Sequence, residues 1–432
     1  MNTGSSQMVE QHRVASGADT NARRVVVTGL GIIAGSGAGP DALWEHLIDG
    51  RSAARPLSRF EVTDHGVHVA VEVPDFRPRD FMTAAKARSA GRFSQLTIAA
   101  ARLAVEDARM PLSALASPRA GFFLGTAMGA VGVSEEQSAD FHDRGARSID
   151  RSFPFCASPH SAATLAASDY AVGGPVASMC SECPAGLDAI VTAWGRLRSG
   201  ELDVALAGGA EAPLSPVLFT GYAHAGVLAT DVGPPDACGR PFDRRRSGFV
   251  LGEAGALLAL ETLEHARSRG ARIYGELAGF GYGRDRPTFV PTADPTGEGI
   301  LAAALGALET SHLAPFDLDL VSAHANGLRS TDLAEIRALR TLLGSRRRTV
   351  PVTSIKGALG HPLAAAGVLQ LAAALLALSH GIVPATRNCD ELDLECDLDV
   401  VRRAPRLART VTALATAHGF GGSTTAVIAR RL

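Results

Sequence analysis

Long hydrophobic runs, regularly spaced cysteines and an excess of positive charge are all missing from this 432-residue chain. Each absence excludes a class of protein. The most apolar stretch, Leu363 to Leu378, is interrupted by Gln370 and falls short of the ~20 residues that cross a bilayer. It reads instead as a buried core helix. The six cysteines, Cys156, Cys180, Cys183, Cys238, Cys389 and Cys396, are scattered except for one C-x-x-C pair. That is not a disulfide framework, and without a second pair at matching spacing no metal site is expected. The 42 basic residues are offset by 44 acidic ones, for a net charge of −2. No stretch makes an electrostatic footprint for nucleic acid or for an anionic membrane. The first residues are polar and lack the apolar centre of a signal peptide, so residues 1–22 are expected to form a disordered tail and the protein to be cytoplasmic. Aromatic residues make up only 5%. Alanine and glycine are abundant, which suits close packing of helices and sheets.

What is present is a regular alternation. From Arg23 onward, strand-like apolar runs (RRVVVTGLGII, AGFFLGTAMG, VASM, VALAGGAEA, SGFVLGEAGALLALE) alternate with segments of helical periodicity (DALWEHLIDG, SQLTIAAARLAVEDA, CPAGLDAIVTAWGRLRSG). In the last of these Leu187, Ile190, Val191 and Trp194 follow the i, i+3, i+4, i+7 rule. A second series of the same design begins near Arg272. Its strands are IYGELAGFGYG, LVSAHANG and TVPVTSIKG. Its helices are GEGILAAALGALETS, STDLAEIRALRTLLG and the apolar helix after Pro362. Ser330 or Thr331 is the expected N-cap of the middle helix. The chain ends in TVTALATAHGFGGSTTAVIARR, two strands around a Gly-rich turn. Alternating strands and helices predict α/β layers, and the nearly continuous apolar strands predict sheets covered on both faces. No Pro/Ser linker separates the series, so one compact unit of two halves is expected.

Four places carry possible chemistry. Cys183 lies where a buried strand gives way to a helix, with Pro184 suited to the first helical turn. The positive end of that helix is expected to lower the thiol pKa; the alternative is a small buried hydrophobe. Cys180 and Cys183 could form a redox pair, although their flanks are unlike thioredoxin. His324 ends an apolar strand, and His361 precedes a helix, with Lys356 five residues earlier. Such strand–helix junctions are where α/β proteins gather ligands, although a lone histidine is more often structural. The fourth is His418 to Thr425, HGFGGSTT, whose glycines permit close backbone approach or simply make a tight turn.

Taken in order, GPVASMCSECPAGLDAI, VSAHANGLRSTDLAEI, SIKGALGHPLAAAG and HGFGGSTTAV resemble the nucleophile, first-histidine, Lys…Gly-His and C-terminal Gly-Phe-Gly-Gly segments of β-ketoacyl synthases. RRVVVTGLGII, GFFLGTAMG, LAGGAEA and FDRRRSGFVLGE match in order as well, so the resemblance covers roughly residues 23–432. It implies the duplicated thiolase fold, five layers α-β-α-β-α, with an N-terminal half over 23–268 carrying the cysteine and a C-terminal half over 269–432 carrying both histidines. It also implies a Cys183–His324–His361 site that forms carbon–carbon bonds by decarboxylative Claisen condensation. In that scheme Cys183 is the nucleophile. The N–H groups of Cys183 and Phe420 form the oxyanion hole, supported by Gly419, Gly421 and Gly422. Lys356 holds the polarity of the site in a pair with Glu335, and Asp332 and Glu335 fall at family spacing. The implied cofactor set is empty: substrates arrive on the phosphopantetheine arm of an acyl or peptidyl carrier protein. A homodimer or a ketosynthase-type heterodimer is implied, with no nucleic acid or membrane partner.

The chain departs from the family pattern in three places. Glu182 puts a carboxylate beside the nucleophile, which raises a thiol pKa if it points inward. His324-Ala325-Asn326-Gly327-Leu328 replaces a threonine-bearing segment that holds the pantetheine arm; Asn326 can supply one contact and Leu328 cannot supply the other. RRRSGFVLGEAG shifts the usual glycines. These changes leave two other readings open, a ring-closing enzyme acting on a carrier-bound chain and a non-catalytic partner of the chain-length-factor kind. The basic residues within 240–246 and 346–348 are either solvated surface charge or part of a docking face for an acidic carrier.

Overall fold

The computed structural model describes residues 23–62, 66–230, 233–286 and 293–432; the expected tail at 1–22 lies outside them. Ten strands set the architecture. The first five are β1 (Val25–Ala34), β2 (Ala120–Gly125), β3 (Val176–Met179), β4 (Val204–Glu211) and β5 (Ala254–Thr262). The other five are β6 (Gly275–Arg284), β7 (Leu320–Ser322), β8 (Pro351–Thr353), β9 (Thr412–His418) and β10 (Ser423–Arg430).

The strand order is β1-β5-β4-β2-β3 in one half and β6-β10-β9-β7-β8 in the other. The senses also repeat. The first two pairings of each half are antiparallel and the next two parallel. The halves join where Val25–Val27 of β1 pair antiparallel with Gly275–Leu277 of β6. This is the duplicated fold expected from the sequence, and the duplication lies in topology rather than in any legible sequence repeat.

Helices make the remaining layers: α1 (Arg92–Asp107), α2 (Ala185–Arg198), α3 (Glu298–Thr310), α4 (Arg329–Leu343), α5 (Lys356–Leu359) and α6 (Ala364–His380). α1 covers β1 and β5, and α3 covers β6 and β10 with α4 beside it. α2 and α6 pack on each other and on strands of both halves, forming the middle layer. Residues Ala364–Leu378 of α6 are all buried, so the apolar stretch is a core helix. No helix among the described residues is long and apolar enough to cross a membrane.

Small residues let these layers close. A Cβ on Gly31 of β1 would stand 1.9 Å from the Ala100 carbonyl oxygen of α1, and one on Gly281 of β6 would stand 2.1 Å from the Ala303 carbonyl oxygen of α3. The first strand of each half therefore seats its outer helix on glycine.

The SGFVLGEAGALLALE segment forms one strand, β5, preceded by isolated bridges at Phe249, Leu251 and Gly252. One local expectation needs correction. α4 is capped at Leu328, with no side-chain cap bond from Ser330 or Thr331. Asp332, in its first turn, instead reaches back to the N–H groups of Asn326 and Gly327.

Candidate active site

The parallel strands β3 and β8 occupy equivalent places in the two halves, and the chain leaving each one enters the same cavity. After β3, Glu182 takes a left-handed backbone, φ 63°, a conformation that costs a non-glycine residue about 1 kcal/mol or more. This kink delivers Cys183 to the mouth of α2. Pro184 is the N-cap rather than a residue of the first turn. Cys183 is 3% exposed, and its Sγ lies 3.3 Å from Nε2 of His361.

His361 follows β8 and α5. Its backbone is fixed by His361 N–H donating to Val250 O at 2.8 Å and its own carbonyl accepting from Gly252 N–H. The ring packs edge-on against Phe249, and its Nδ1 has no hydrogen-bond partner among the described residues. His324 follows β7. Its ring centroid is 5.3 Å from that of His361, with the planes nearly perpendicular.

Buried carboxylates shape the His324 loop. Glu335 accepts from the N–H groups of His324 and Ala325 and from the Thr416 hydroxyl. Asp332 accepts from the N–H groups of Asn326, Gly327 and Phe242. The side-chain Oδ1 of Asn326 accepts from Leu328 N–H, while its Nδ2 stands 3.4 Å from His324 Nε2. Nδ1 of His324 accepts from the backbone N–H of His418 at 3.2 Å and is 3.5 Å from Lys356 Nζ. Two donors on the Nδ1 side, the nearer at 3.2 Å, outweigh the single Asn326 amide nitrogen at 3.4 Å on the other, so the proton of a neutral His324 sits on Nε2.

Lys356 does not pair with Glu335 as expected. Its ammonium donates to the His324 carbonyl and to Oε1 of Gln370. The carboxylate of Glu335 is already committed to two N–H groups and a hydroxyl, so it acts on Lys356 only through its field. Gln370 is the site residue that sequence reasoning missed. Its amide group donates to the carbonyls of Ala323 and Thr416, and its signal was visible as the one polar residue in the apolar stretch.

The turn between β9 and β10 closes the cavity. A Cβ on Gly419 would come within 2.9 Å of Glu182 Cβ and 3.1 Å of Pro184 Cδ, so glycine there lets the turn lie on the nucleophile segment. Gly422 has φ 80°, whereas a Cβ on Gly421 would meet nothing within 4 Å. Phe420 stands 6.3 Å from the Phe249 ring and 6.5 Å from that of Tyr222. Together Cys183, His324, Asn326, His361, His418 and Phe420 line a space of about 10 Å³, room for about one water. Cys180 is exposed and unbonded, so the C-x-x-C pair forms no disulfide.

Electrostatically the pocket favours neutral groups. Burial, with the Lys356 charge nearby, holds both His324 and His361 well below the ordinary imidazole range. Burial also pulls Lys356 down to about 8. The Cys183 thiol is pushed up, not down as the helix N-terminus suggested. Burial is the main cause and the Glu182 carboxylate the next, with Lys356 opposing them. The expectation counted the helix terminus and left out the cost of enclosing a thiolate.

The basic residues proposed for docking are largely committed within the chain. Arg240 and Arg245 pair with Asp390, Arg244 with Glu391, Arg246 with Asp393, and Arg347 with Asp397. Residues 390–397 thus neutralise much of the charge that looked free in the sequence.

Comparison with known proteins shows the family to which the chain belongs. Residues 22–266 match the family model described as Beta-ketoacyl synthase, N-terminal domain, and residues 274–390 match the corresponding C-terminal domain. The tetracenomycin polyketide synthase ketoacyl synthase alpha subunit of Streptomyces glaucescens is 35% identical over 95% of this chain and 97% of its own length. The 3-oxoacyl-[acyl-carrier-protein] synthase 2 of Synechocystis sp. is 33% identical over 94% of this chain and 97% of its own. The solved ishigamide ketosynthase/chain length factor superposes with a TM-score of 0.89 at 32% identity, covering 95% of this chain and all of that one.

Proposed function

Because the chain belongs to the β-ketoacyl synthase family, the condensing enzymes of type II polyketide and fatty acid synthesis, we propose that it extends carrier-bound acyl chains by decarboxylative Claisen condensation in a polyketide pathway of the cytoplasm. The observation that carries this is the meeting of Cys183 Sγ with His361 Nε2 at 3.3 Å, beside a perpendicular His324 ring, inside one buried cavity.

In the first half-reaction Cys183 attacks the thioester carbonyl of an acyl carrier protein. Its proton passes to His361 Nε2, the C–S bond to the pantetheine arm breaks, and the departing thiolate takes that proton. A neutral imidazole at contact distance is needed here, because the resting thiol is pushed up. Phe420 and Cys183 each have a backbone N–H that donates to no backbone carbonyl among the described residues, and these hold the oxyanion.

In the second half-reaction the Nε2–H groups of His324 and His361 donate to the carbonyl of a malonyl thioester. The C–C bond to the carboxylate breaks and carbon dioxide leaves. The enolate carbon then attacks the Cys183 thioester, and the cysteine leaves as thiolate and takes a proton from water, by way of His361. His361 serves both halves because its unpartnered Nδ1 leaves the ring free of a fixed tautomer. Lys356, held by Gln370, keeps positive potential behind His324.

The likeness to a 3-oxoacyl-[acyl-carrier-protein] synthase supports the carrier protein as substrate donor. The likeness to a ketosynthase/chain length factor supports pairing through a related subunit. β3, the sheet edge in the cysteine-bearing half, is half-exposed along its whole length, which fits such a seam. Neither ring closure nor a non-catalytic role has a feature of this site in its favour.

The test is intact mass spectrometry with an acyl carrier protein thioester, with and without malonyl carrier protein. The expected result is an acyl adduct on wild type and none on Cys183→Ala, discharged by malonyl carrier protein as a product two carbons longer. An adduct indifferent to the malonyl donor would refute condensation, and no adduct with any donor would refute the nucleophile.

A further inference from the structure

A third imidazole belongs to the cavity, and the condensation scheme leaves it without a task. His418 is the last residue of β9 and is 5% exposed. It lines the same space as Cys183 and the other two histidines. Its ring centroid lies 6.2 Å from that of His324 at 80°. Both ring nitrogens face polar side chains. Nδ1 is 2.7 Å from Oγ1 of Thr424, its cross-strand partner in the hairpin, and Nε2 is 3.5 Å from Oδ2 of Asp285. That carboxylate oxygen is buried and has no hydrogen bond of its own among the described residues.

Asp285 is itself fixed. Its N–H donates to Gly422 O, and its Oδ1 accepts from Gly299 N–H at the start of α3. The turn 419–422 is therefore stapled at both ends, to His418 by the strand and to Asp285 by the backbone. A turn this rich in glycine has little stiffness of its own, and the strand residue entering it would fray without such anchors. The residue held there matters to the chemistry, because the backbone N–H of His418 is the closer of the two donors facing His324 Nδ1, at 3.2 Å against 3.5 Å for Lys356 Nζ.

We infer that His418 is a positioning residue of this site: its ring, clamped between Thr424 and Asp285, holds the last N–H of β9 against His324 and so keeps the His324 proton on Nε2, facing the substrate. The inference rests on the proposed condensation for its kinetic consequence and on the hydrogen-bond geometry alone for its structural one. His418 touches no reacting atom. Its loss acts through His324, on decarboxylation, and spares the Cys183–His361 contact that loads the acyl chain.

The experiment compares wild type with His418→Phe, which keeps a ring and loses both nitrogens, His418→Asn, whose amide can still reach Thr424, and Asp285→Asn. Nitrogen NMR of histidine-labelled protein reads the His324 tautomer without any substrate, with His324→Ala identifying the signal. Cys183 acylation and malonyl carrier protein decarboxylation are timed separately. The Nε2–H form is expected in wild type and His418→Asn, and a mixture in His418→Phe. Decarboxylation should fall about tenfold or more in His418→Phe while acylation stays within about twofold, a split that a general loss of packing would not produce. Asp285→Asn should fall between. An unchanged tautomer in His418→Phe, or equal losses in both steps, overturns the inference. Should His418→Phe not fold, His418→Asn and Asp285→Asn decide by the same tautomer signal. Should wild type neither load nor decarboxylate, the condensing function fails while the tautomer still decides the role of His418.

Discussion

A single carboxylate next to the nucleophile distinguishes this site at the residue scale. Glu182 raises the Cys183 thiol after burial has already done so. Glu182→Gln removes the charge at nearly constant size, so Cys183 alkylation by iodoacetamide at a fixed, near-neutral pH should quicken about threefold; an unchanged rate would show that the carboxylate does not reach the sulfur. Gln370 has the opposite character, structural at first sight and electrostatic in effect. Gln370→Leu leaves the buried Lys356 ammonium short of a partner and takes one donor from the carbonyls of Ser322, Ala323 and Thr416. A loss of about 3 kcal/mol in denaturant-measured stability is expected. His418 supplies a pH signature. Burial lowers it to about 4 from about 6.5 in the unfolded chain. Below 6.5 the unfolded chain binds the proton and the folded chain does not, so stability falls as the pH falls. From pH 7.5 to 5.5 wild type should lose about 1 kcal/mol more than His418→Phe, as read by urea melts at the two pH values.

At the scale of elements, the repeated topology explains how the site assembles. β3 and β8 are equivalent strands, and the chain after one carries Cys183 while the chain after the other carries His361. β4 and β9 are equivalent too. β4 ends at Glu211, whose carboxylate binds the N–H groups of Ala127 and Met128. β9 ends at His418, whose N–H binds His324. One architectural position thus supports the loop after β2 in one half and the loop after β7 in the other. The β9–β10 turn is where the second half meets the nucleophile of the first. Gly419→Ala puts a methyl group against Glu182 and Pro184. The turn must retreat, so Cys183 acylation should slow about tenfold with little change in melting temperature. A normal rate would show that the turn does not set the geometry around the sulfur.

At the scale of the molecule, the sheet has a half-exposed edge at β3, and Phe155 is 77% exposed in the single chain. An exposed aromatic side chain and an open strand edge are each features of an interface. Sedimentation should show a dimer, with itself or with a co-expressed related subunit, and Phe155→Glu should shift it toward the 44.7 kDa chain. A wild-type monomer under both conditions would refute the pairing.

The sequence alone determined the layered α/β plan, the strand and helix series, and the places of Cys183, His324 and His361 at strand–helix junctions, because period-2 and period-3.6 patterning and short ordered motifs are local properties of the chain. It also carried the buried helix after Pro362 and the hairpin around the glycine turn. Only the tertiary structure decided the rest. Gln370 rather than Glu335 holds Lys356, because both Glu335 oxygens are consumed by a loop and a threonine far apart in sequence. The basic residues at 240–246 turned out to be paired because residues 390–397, some 150 positions later, fold against them. The thiol is raised rather than lowered because burial is a sum over every neighbouring element, and no stretch of sequence contains that sum.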